Sequence, residues 1–444
     1  MRILFLDIYK NSFSRISKDT AGGYGTENNL GNSFLCKILS YIIKKTIFWP
    51  NLSFVQLFTE FKVRNYEVDF KTYVGVKPKV KSYDLIFVCN SIVCFETEIE
   101  AIEHISTYSN AKFFLCGTFA QFAKNRIPND ISIISGNYEF LFDYLKSSNQ
   151  QLNDILNKRF LRIDKGNADD LSTIEWNSPF FKNPKNFILG NGKKYFPFIA
   201  TRGCPYTCRE YCTYPLAQGT KTSKESIDST IRKLLFYSVK YKSSHIVFRD
   251  PVFSIDINRS KDLLKRIGDA KLDLEFSAEL HLRNIDDEFI ELCQYAKMKG
   301  LKFGIESAYD AIRDSVKRHS VDNDFQSTII NKLLNAKIKT VGMFILVQPA
   351  DTFETCNGTI DYACSLNLDI AQFSIFTPYP GTPYYVKNQS KVSESRFNNF
   401  NQYRLVYNHD TITKKQARQL LGTAYTRFIS SKIKRNLKQK ILRL

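Results

Sequence analysis

Three cysteines, Cys204, Cys208 and Cys212, fall within nine residues of the segment TRGCPYTCREYCTYP (201–215). Three thiolates on one short loop can converge on a metal without help from the rest of a fold. Thiolate-only ligation selects iron–sulfur, zinc or copper(I). Three thiolates, not four, leave one iron of a cubane cluster without a protein ligand. An open coordination position is what catalysis requires and what a structural site avoids. A zinc site would need a fourth ligand recruited from a distance, since none of the five histidines (His104, His245, His281, His319, His409) lies near the loop in sequence. The seven other cysteines are scattered, several inside apolar runs such as LIFVC, where a free thiol behaves as a small hydrophobe. This is not the spacing of a disulfide scaffold.

The elements that must position this loop alternate between strand and helix. ILFLDI (3–8), YEVDF (66–70), DLIFVC (84–89) and KFFLCG (112–117) are short apolar runs rich in β-formers, separated by helical stretches near 52–64 and 96–108. Continuous apolar strands alternating with helices predict a parallel sheet covered on both faces. The expected fold class is therefore α/β, with an N-terminal doubly wound (Rossmann-like) domain over 1–150. Its ligand crevice should lie at the carboxyl ends of the strands. A long polar loop, 9–34, leaves the first strand at that edge and carries Gly22, Gly23, Tyr24 and Gly25. Residues 151–194, rich in Asn, Asp and Lys and containing Pro179 and Pro184, read as a linker.

The alternation resumes at FPFIAT (196–201), HIVFRD (245–250), LEFSAEL (274–280), LKFGIES (301–307), TVGMFILV (340–347) and AQFSIFTPYP (371–380). Six β/α units over 195–385 predict a partial, TIM-like (β/α)6 barrel, with its site at the carboxyl ends of the strands. The cysteine loop follows the first of these strands. Residues 386–444 form a C-terminal extension whose end, 411–444, reads as a helical, basic tail.

Composition narrows the class. A hydrophobic fraction of 43% and a charged fraction of 24% over 444 residues suit a globular protein of two domains. No run approaches the roughly 18 apolar residues of a membrane span, and MRILFLDIYK lacks the pattern of a signal peptide, so the expected localisation is cytoplasmic. The net charge is +19, but no acidic residue follows Asp410 and ten Lys and Arg do, so much of the excess belongs to the tail.

Residues 195–385 resemble the radical S-adenosylmethionine (radical SAM) superfamily, and specifically its cobalamin-binding-domain subgroup. The resemblance rests on RGCPYTCREYCTYPLAQG, FRDPVF, FSAEL, FGIES and FILVQPADTFET, followed by TPYPGTPYY. It implies a 4Fe–4S cluster on Cys204, Cys208 and Cys212, whose open iron is chelated by the amino and carboxylate groups of S-adenosyl-L-methionine. Reductive cleavage would then yield a 5′-deoxyadenosyl radical. It also implies cofactor contacts from strand-end residues: Asp250, Glu279, Gly304, Glu306 and Ser307. Carboxylates there can accept from the ammonium or the ribose hydroxyls, and Gly304 would let the backbone approach the adenine. Pairing with Arg249 or Arg283 is the structural alternative for the carboxylates. Pro378, Pro380, Gly381 and Pro383 read as a rigid turn after the last strand. The chain departs from the family at one point. Three residues, Arg209, Glu210 and Tyr211, separate the second and third cysteines where the family has two.

The first domain carries the subgroup resemblance in SKDTAGGYGTENNLGNSFLCKILS, CGTFAQF and GNYEF, which implies cobalamin binding. No histidine precedes His104, so the usual imidazole for cobalt is missing. The expected activity is radical chemistry on a small-molecule substrate, with cobalamin-dependent methyl transfer the first candidate and a flavodoxin- or ferredoxin-type reducing partner. RNA or protein modification, or a non-catalytic cluster or corrinoid protein, are the alternatives. No RNA-binding module is recognisable, so a nucleic-acid partner is not expected. In the tail, Ile429, Ile433, Leu437 and Ile441 form one apolar stripe. Such a basic amphipathic helix either packs on its own protein or makes peripheral contact with an anionic membrane.

Overall fold

The computed structural model describes residues 1–31, 33–46, 50–176, 193–318 and 320–441. Pro179 and Pro184 of the linker, His319, and the end of the tail lie outside these.

The chain opens with strand β1 (Arg2–Tyr9), followed by a small antiparallel hairpin of β2 (Arg15–Ser17) and β3 (Thr26–Asn28) within the loop read as polar. Strands β4 (Glu67–Val74), β5 (Leu85–Cys89), β6 (Lys112–Cys116), β7 (Ser132–Gly136) and β8 (Phe160–Ile163) complete a six-stranded sheet in the order β4-β1-β5-β6-β7-β8. All its pairings are parallel. The central strands β1 and β5 are buried almost throughout, as helices on both faces require, while edge strand β4 is partly exposed along its length. On one face Phe5, Phe87 and Phe114 stack across three neighbouring strands at 4.9 and 5.1 Å, beneath Phe54, Phe58 and Phe61 of the helix Leu52–Val63. β8 lies inside the stretch read as a linker. It pairs with β7 through Ile133–Gly136 and Phe160–Ile163, so the first sheet runs past residue 150.

The second sheet begins with β9 (Tyr195–Phe198). A two-residue ladder of β10 (Thr201–Arg202) and β11 (Ser223–Lys224) then brackets the cysteine loop. Strands β12 (Ser244–Phe248), β13 (Leu274–Leu280), β14 (Met298–Glu306), β15 (Lys339–Leu346) and β16 (Ile370–Ile375) follow in sequential order, all parallel. Six strands without closure form a half-barrel. In β13 to β16 alternate residues are fully buried against the helices, while those between are only half-buried and face the concave side. That concave row includes Ser277 and Glu279, Lys302 and Gly304, Met343 and Ile345, and Gln372 and Ser374.

The tail is a helix, Lys414–Ile441. Its first half buries Leu420, Leu421, Ala424 and Phe428, and the Tyr425 hydroxyl bonds both backbone groups of Phe373 on edge strand β16. Its second half leaves Ile433 and Leu437 more than half exposed. The apolar stripe of the tail therefore packs only partly.

Candidate active site

Buried polar contacts bring the carboxyl ends of the two sheets together. Arg202 of β10 forms an ion pair with Glu139, after β7, at 2.7 Å with both side chains buried. The Thr213 hydroxyl donates to the Ala21 carbonyl at 2.6 Å, and the Tyr24 hydroxyl to that of Pro380 at 2.7 Å. The Gly22–Gly23 turn lies directly on the backbone of Thr213. A Cβ at Gly22, whose φ is +58°, would meet that carbonyl at 3.0 Å. The first sheet's loop thus rests on the residue after Cys212.

The extra residue in the cysteine loop is absorbed by a tight turn. Residues Thr207–Glu210 form a 3-10 segment, and the amides of Tyr211 and Cys212 both donate to the Cys208 carbonyl, at 3.2 and 3.1 Å. This folds Cys212 back beneath Cys208. The two thiols hydrogen-bond and share one proton preference: contact with Cys212 pulls Cys208 down to about 7, and the same contact holds Cys212 well above its usual range. Burial pushes Cys204 up to about 11. The amide of Cys204 is fixed by the Gly219 carbonyl at 3.1 Å, and that of Gly203 by the Gln218 side chain, also at 3.1 Å.

Among the described residues no three His, Cys, Asp or Glu side chains close around a single metal ion. A cubane cluster makes a different demand, because each thiolate takes a separate iron and the three stand wider apart than around one ion. Three thiols on one loop, two of them in contact, supply that donor set. Among the described residues no histidine or fourth cysteine joins them.

A cavity of about 160 Å³ opens beside the loop, on the concave side of the half-barrel. Cys212, Tyr211 and Tyr214 form one wall, with Glu279 near the end of β13, Lys302 within β14 and Arg249 just past β12. Thr20, Ala21 and Thr26 of the first sheet's loop close it from above, and Met343 and Ile345 give it an apolar side. Glu279 lies 3.9 Å from Arg249 and 3.7 Å from Lys302, so the arginine pairing weighed from sequence is present. Arg249 also binds Asp19, through its side chain at 2.9 Å and its carbonyl at 2.8 Å. Burial pulls the Arg249 guanidinium down, but Asp19, Tyr214 and Glu279 together outweigh it and hold it above its ordinary value.

The other sequence-derived residues are placed differently. Glu306, at the end of β14, is buried at φ +68°, where the register with β15 shifts. Its carboxylate lies 3.6 Å from Arg318 and accepts from Tyr211. Burial raises the Glu306 carboxyl, and Arg318, also in contact with Cys208, opposes that rise. Gly304 makes room for this pair, since a Cβ there would collide with the Glu306 carboxylate and the Arg318 guanidinium. Ser307 is buried behind the strand, its hydroxyl 3.1 Å from that of Thr359. Asp250 points away from the cavity: its carboxylate accepts from the Ala200 amide at 2.8 Å and is pushed up to about 6 by burial. Its neighbour Arg249 is the one that reaches the cavity. Sequence reasoning also passed over Lys302, Arg318, Tyr211 and Tyr214. Tyr211 and Tyr214 flank Cys212 in YCTYP, and that proximity was the available signal.

In the first sheet, the crevice between β1 and β5 is filled. The ammonium of Lys18, fully buried, lies 2.9 Å from Asp7, 2.8 Å from Glu98 and 2.8 Å from the Cys89 carbonyl. A smaller cavity, about 50 Å³, lies further along at the ends of β6 and β7, lined by Asn51, Gly117, Thr118, Gly136, Asn137 and Tyr138. Tyr214 and Arg249 line both cavities. The Asn90 Oδ1 and Gln121 Nε2 atoms, just beyond β5 and β6, are buried without hydrogen-bond partners. Neither atom lines this cavity, and about 50 Å³ is far too small for a corrinoid, so cobalamin would enter only if the loops at Gly22–Gly23, Thr118 and Asn137 part.

No family model matches the chain. It is 29% identical over 202 residues to an uncharacterized methyltransferase of Pyrococcus horikoshii, covering 45% of this chain and 43% of that protein. It is 25% identical over 228 residues to bacteriochlorophyllide d C-12(1)-methyltransferase of Chlorobaculum tepidum, covering 49% and 48%. These matches thus span under half the length of either relative. Among solved structures it superposes on the radical SAM methyltransferase TsrM from Kitasatospora setae, bound to cobalamin and a 4Fe–4S cluster, with a TM-score of 0.59 at 14% identity over 88% of this chain and 78% of that one. The cobalamin-dependent radical SAM enzyme OxsB, bound to aqua-cobalamin and S-adenosylmethionine, gives 0.58 at 12% identity over 88% and 56%. The fold is that of a radical SAM half-barrel carrying a Rossmann-like domain at its amino-terminal side. In particular, it is the architecture found in the cobalamin-dependent radical SAM enzymes.

Proposed function

We propose that this chain is a radical SAM enzyme that uses cobalamin, with methyl transfer to a small molecule as its reaction. One observation carries the reading. The third cysteine of an open thiolate set and the charged residues Arg249, Glu279 and Lys302 line one cavity on the concave side of the half-barrel. Cys204, Cys208 and Cys212 would hold a 4Fe–4S cluster, which supplies the electron that splits a bound sulfonium. Glu279 offers acceptor oxygens for an ammonium or for ribose hydroxyls. Arg249 and Lys302 offer donors for a carboxylate. Tyr211, Met343 and Ile345 exclude water from the same space.

Asp250 and Ser307 take a positioning role in this reading: Asp250 ties β12 to the segment leading into the cysteine loop, and Ser307 anchors the turn after β14. Gly304 and Glu306 support the wall behind Cys208 through Arg318. The corrinoid would sit at the ends of β6 and β7, separated from the thiolate loop by Tyr214 and Arg249. We place the first domain at 1–163, since β8 completes its sheet, and the half-barrel at 195–385. A flavodoxin- or ferredoxin-type donor would supply electrons. All ten cysteines are free, as expected of a cytoplasmic protein. Lys414, Lys415 and Lys434 of the tail are exposed for peripheral contact with an anionic surface, whereas Arg418, Arg427, Lys432 and Arg435 bind groups of this chain.

Anaerobic reconstitution with iron, sulfide and hydroxocobalamin, followed by assay of S-adenosylmethionine consumption, tests this. Turnover to 5′-deoxyadenosine or S-adenosylhomocysteine, abolished by Cys212→Ala, is the expected outcome. Fully loaded protein that consumes no cofactor would refute the enzyme reading, and failure to retain cobalt would refute its cobalamin half.

A further inference from the structure

The helix Phe34–Thr46 follows directly from the loop that roofs the main cavity. It carries two apolar faces where a surface helix needs one. Cys36 and Ser40 are buried, and Leu39 and Ile43 pack inward against the core and the carboxy-terminal helix. The opposite face presents Phe34 at 81% exposure, Ile38 at 39%, Tyr41 at 50% and Ile42 at 50%, a spacing of four, seven and eight residues along one side. Phe13, 60% exposed, extends this patch by packing its ring 6.2 Å from that of Tyr41. Five large apolar side chains thus gather on one exposed surface outside the chain's core clusters.

The charges around the patch have a single sign. Lys37 and Lys44 flank it on the same helix, and both are exposed. The helix itself carries no acidic residue, and Lys415 of Lys414–Ile441 stands across a groove from Ser33 at its start. The nearest carboxylate of the adjoining hairpin, Glu27, is already bound to Lys10 at 2.8 Å. Apolar side chains ringed by unopposed lysines match the interface of an anionic bilayer, where the rings enter the acyl boundary and the ammonium groups meet headgroup phosphates.

We propose that this face docks the protein on an anionic lipid surface, beside the roof of the cavity. The proposal is independent of which reaction the cavity performs. It is tested by flotation of the full chain with vesicles of phosphatidylcholine alone or with about a quarter phosphatidylglycerol. Binding to the anionic vesicles, weakened by salt and reduced about tenfold by Phe34→Ser/Ile38→Ser, is expected. Lys37→Glu/Lys415→Glu should weaken it comparably. Circular dichroism of each variant reports folding. As a separate check, an Ile38→Trp variant should shift its fluorescence to the blue on adding anionic vesicles only. Absence of binding at low salt, no fluorescence shift, or binding that survives the Phe34/Ile38 change would overturn the proposal. So would a self-association abolished by that same change, which would assign the face to a second copy of the chain.

Discussion

At the carboxyl ends of the first sheet the charges close on one another, whereas at those of the half-barrel they face a cavity. Both sheets are parallel and six-stranded, and both place polar residues where their strands run out. In the first, Lys18 fills the crevice between β1 and β5, held by Asp7 and Glu98, with the Tyr9 ring 4.8 Å from its ammonium. Burial alone would lower the Lys18 ammonium, but the two carboxylates outweigh it. In the second, Glu279 stands 3.9 Å from Arg249 and 3.7 Å from Lys302, close enough to attract both and too far to satisfy either fully. A closed cluster fixes a loop, and an open one keeps donors and acceptors for a guest. Arg249 links the two, since it reaches from the open cluster to Asp19, the residue after Lys18.

The sharpest way to break this comparison is Lys18→Met. It leaves Asp7 and Glu98 buried without their cation and should cost about 3–5 kcal/mol, read as a lower denaturation midpoint. An equal loss from Lys302→Met in the open cluster would erase the distinction.

Arg249→Ala should have an intermediate effect. Loss of its charge-assisted bonds to Asp19 costs about 2 kcal/mol and loosens the roof of the cavity. Affinity for S-adenosylmethionine, measured by equilibrium dialysis on reconstituted protein, should fall alongside stability. Glu279→Gln should lower that affinity with little change in stability.

The smallest effect is expected at Asp250. Its folded value, about 6, lies above the ordinary carboxylate range, so the folded chain binds this proton more tightly than the unfolded one. The stability it confers is complete below about pH 4 and lost as pH rises through 6. Asp250→Asn, which keeps the acceptor for Ala200, should therefore stabilise the protein at pH 8 and leave it unchanged at pH 4. Unaltered S-adenosylmethionine affinity in this variant would sharpen the assignment of Asp250 to positioning.

Much of this architecture was legible in the sequence because burial on both faces writes continuous apolar runs. LEFSAEL matches β13 residue for residue, and LIFVC matches β5. β7 was missed because SIISG, though as long as LIFVC, holds only two apolar residues, and β8 because FLRI is short and sits in a polar, Asn-rich stretch. The hairpin in the long loop left no periodic signal, since each arm has only three residues. At the site, the cysteines and Glu279 could be found by type and position. Arg249 and Asp250 could not be told apart, because β12 ends at Phe248 and the alternation of faces ends with it. The buried ion pairs of Lys18 and Arg318 join residues distant in sequence, which no local pattern encodes.

The central claim is that Cys204, Cys208 and Cys212 hold a cluster with an iron open to S-adenosylmethionine. Electron paramagnetic resonance of the anaerobically reconstituted, dithionite-reduced protein tests it most directly. The account predicts the signal of a reduced 4Fe–4S cluster that shifts on adding S-adenosylmethionine, and loss of that signal in the Cys204→Ala, Cys208→Ala and Cys212→Ala variants. A cluster signal indifferent to S-adenosylmethionine, or one that persists undiminished in Cys212→Ala, would contradict it.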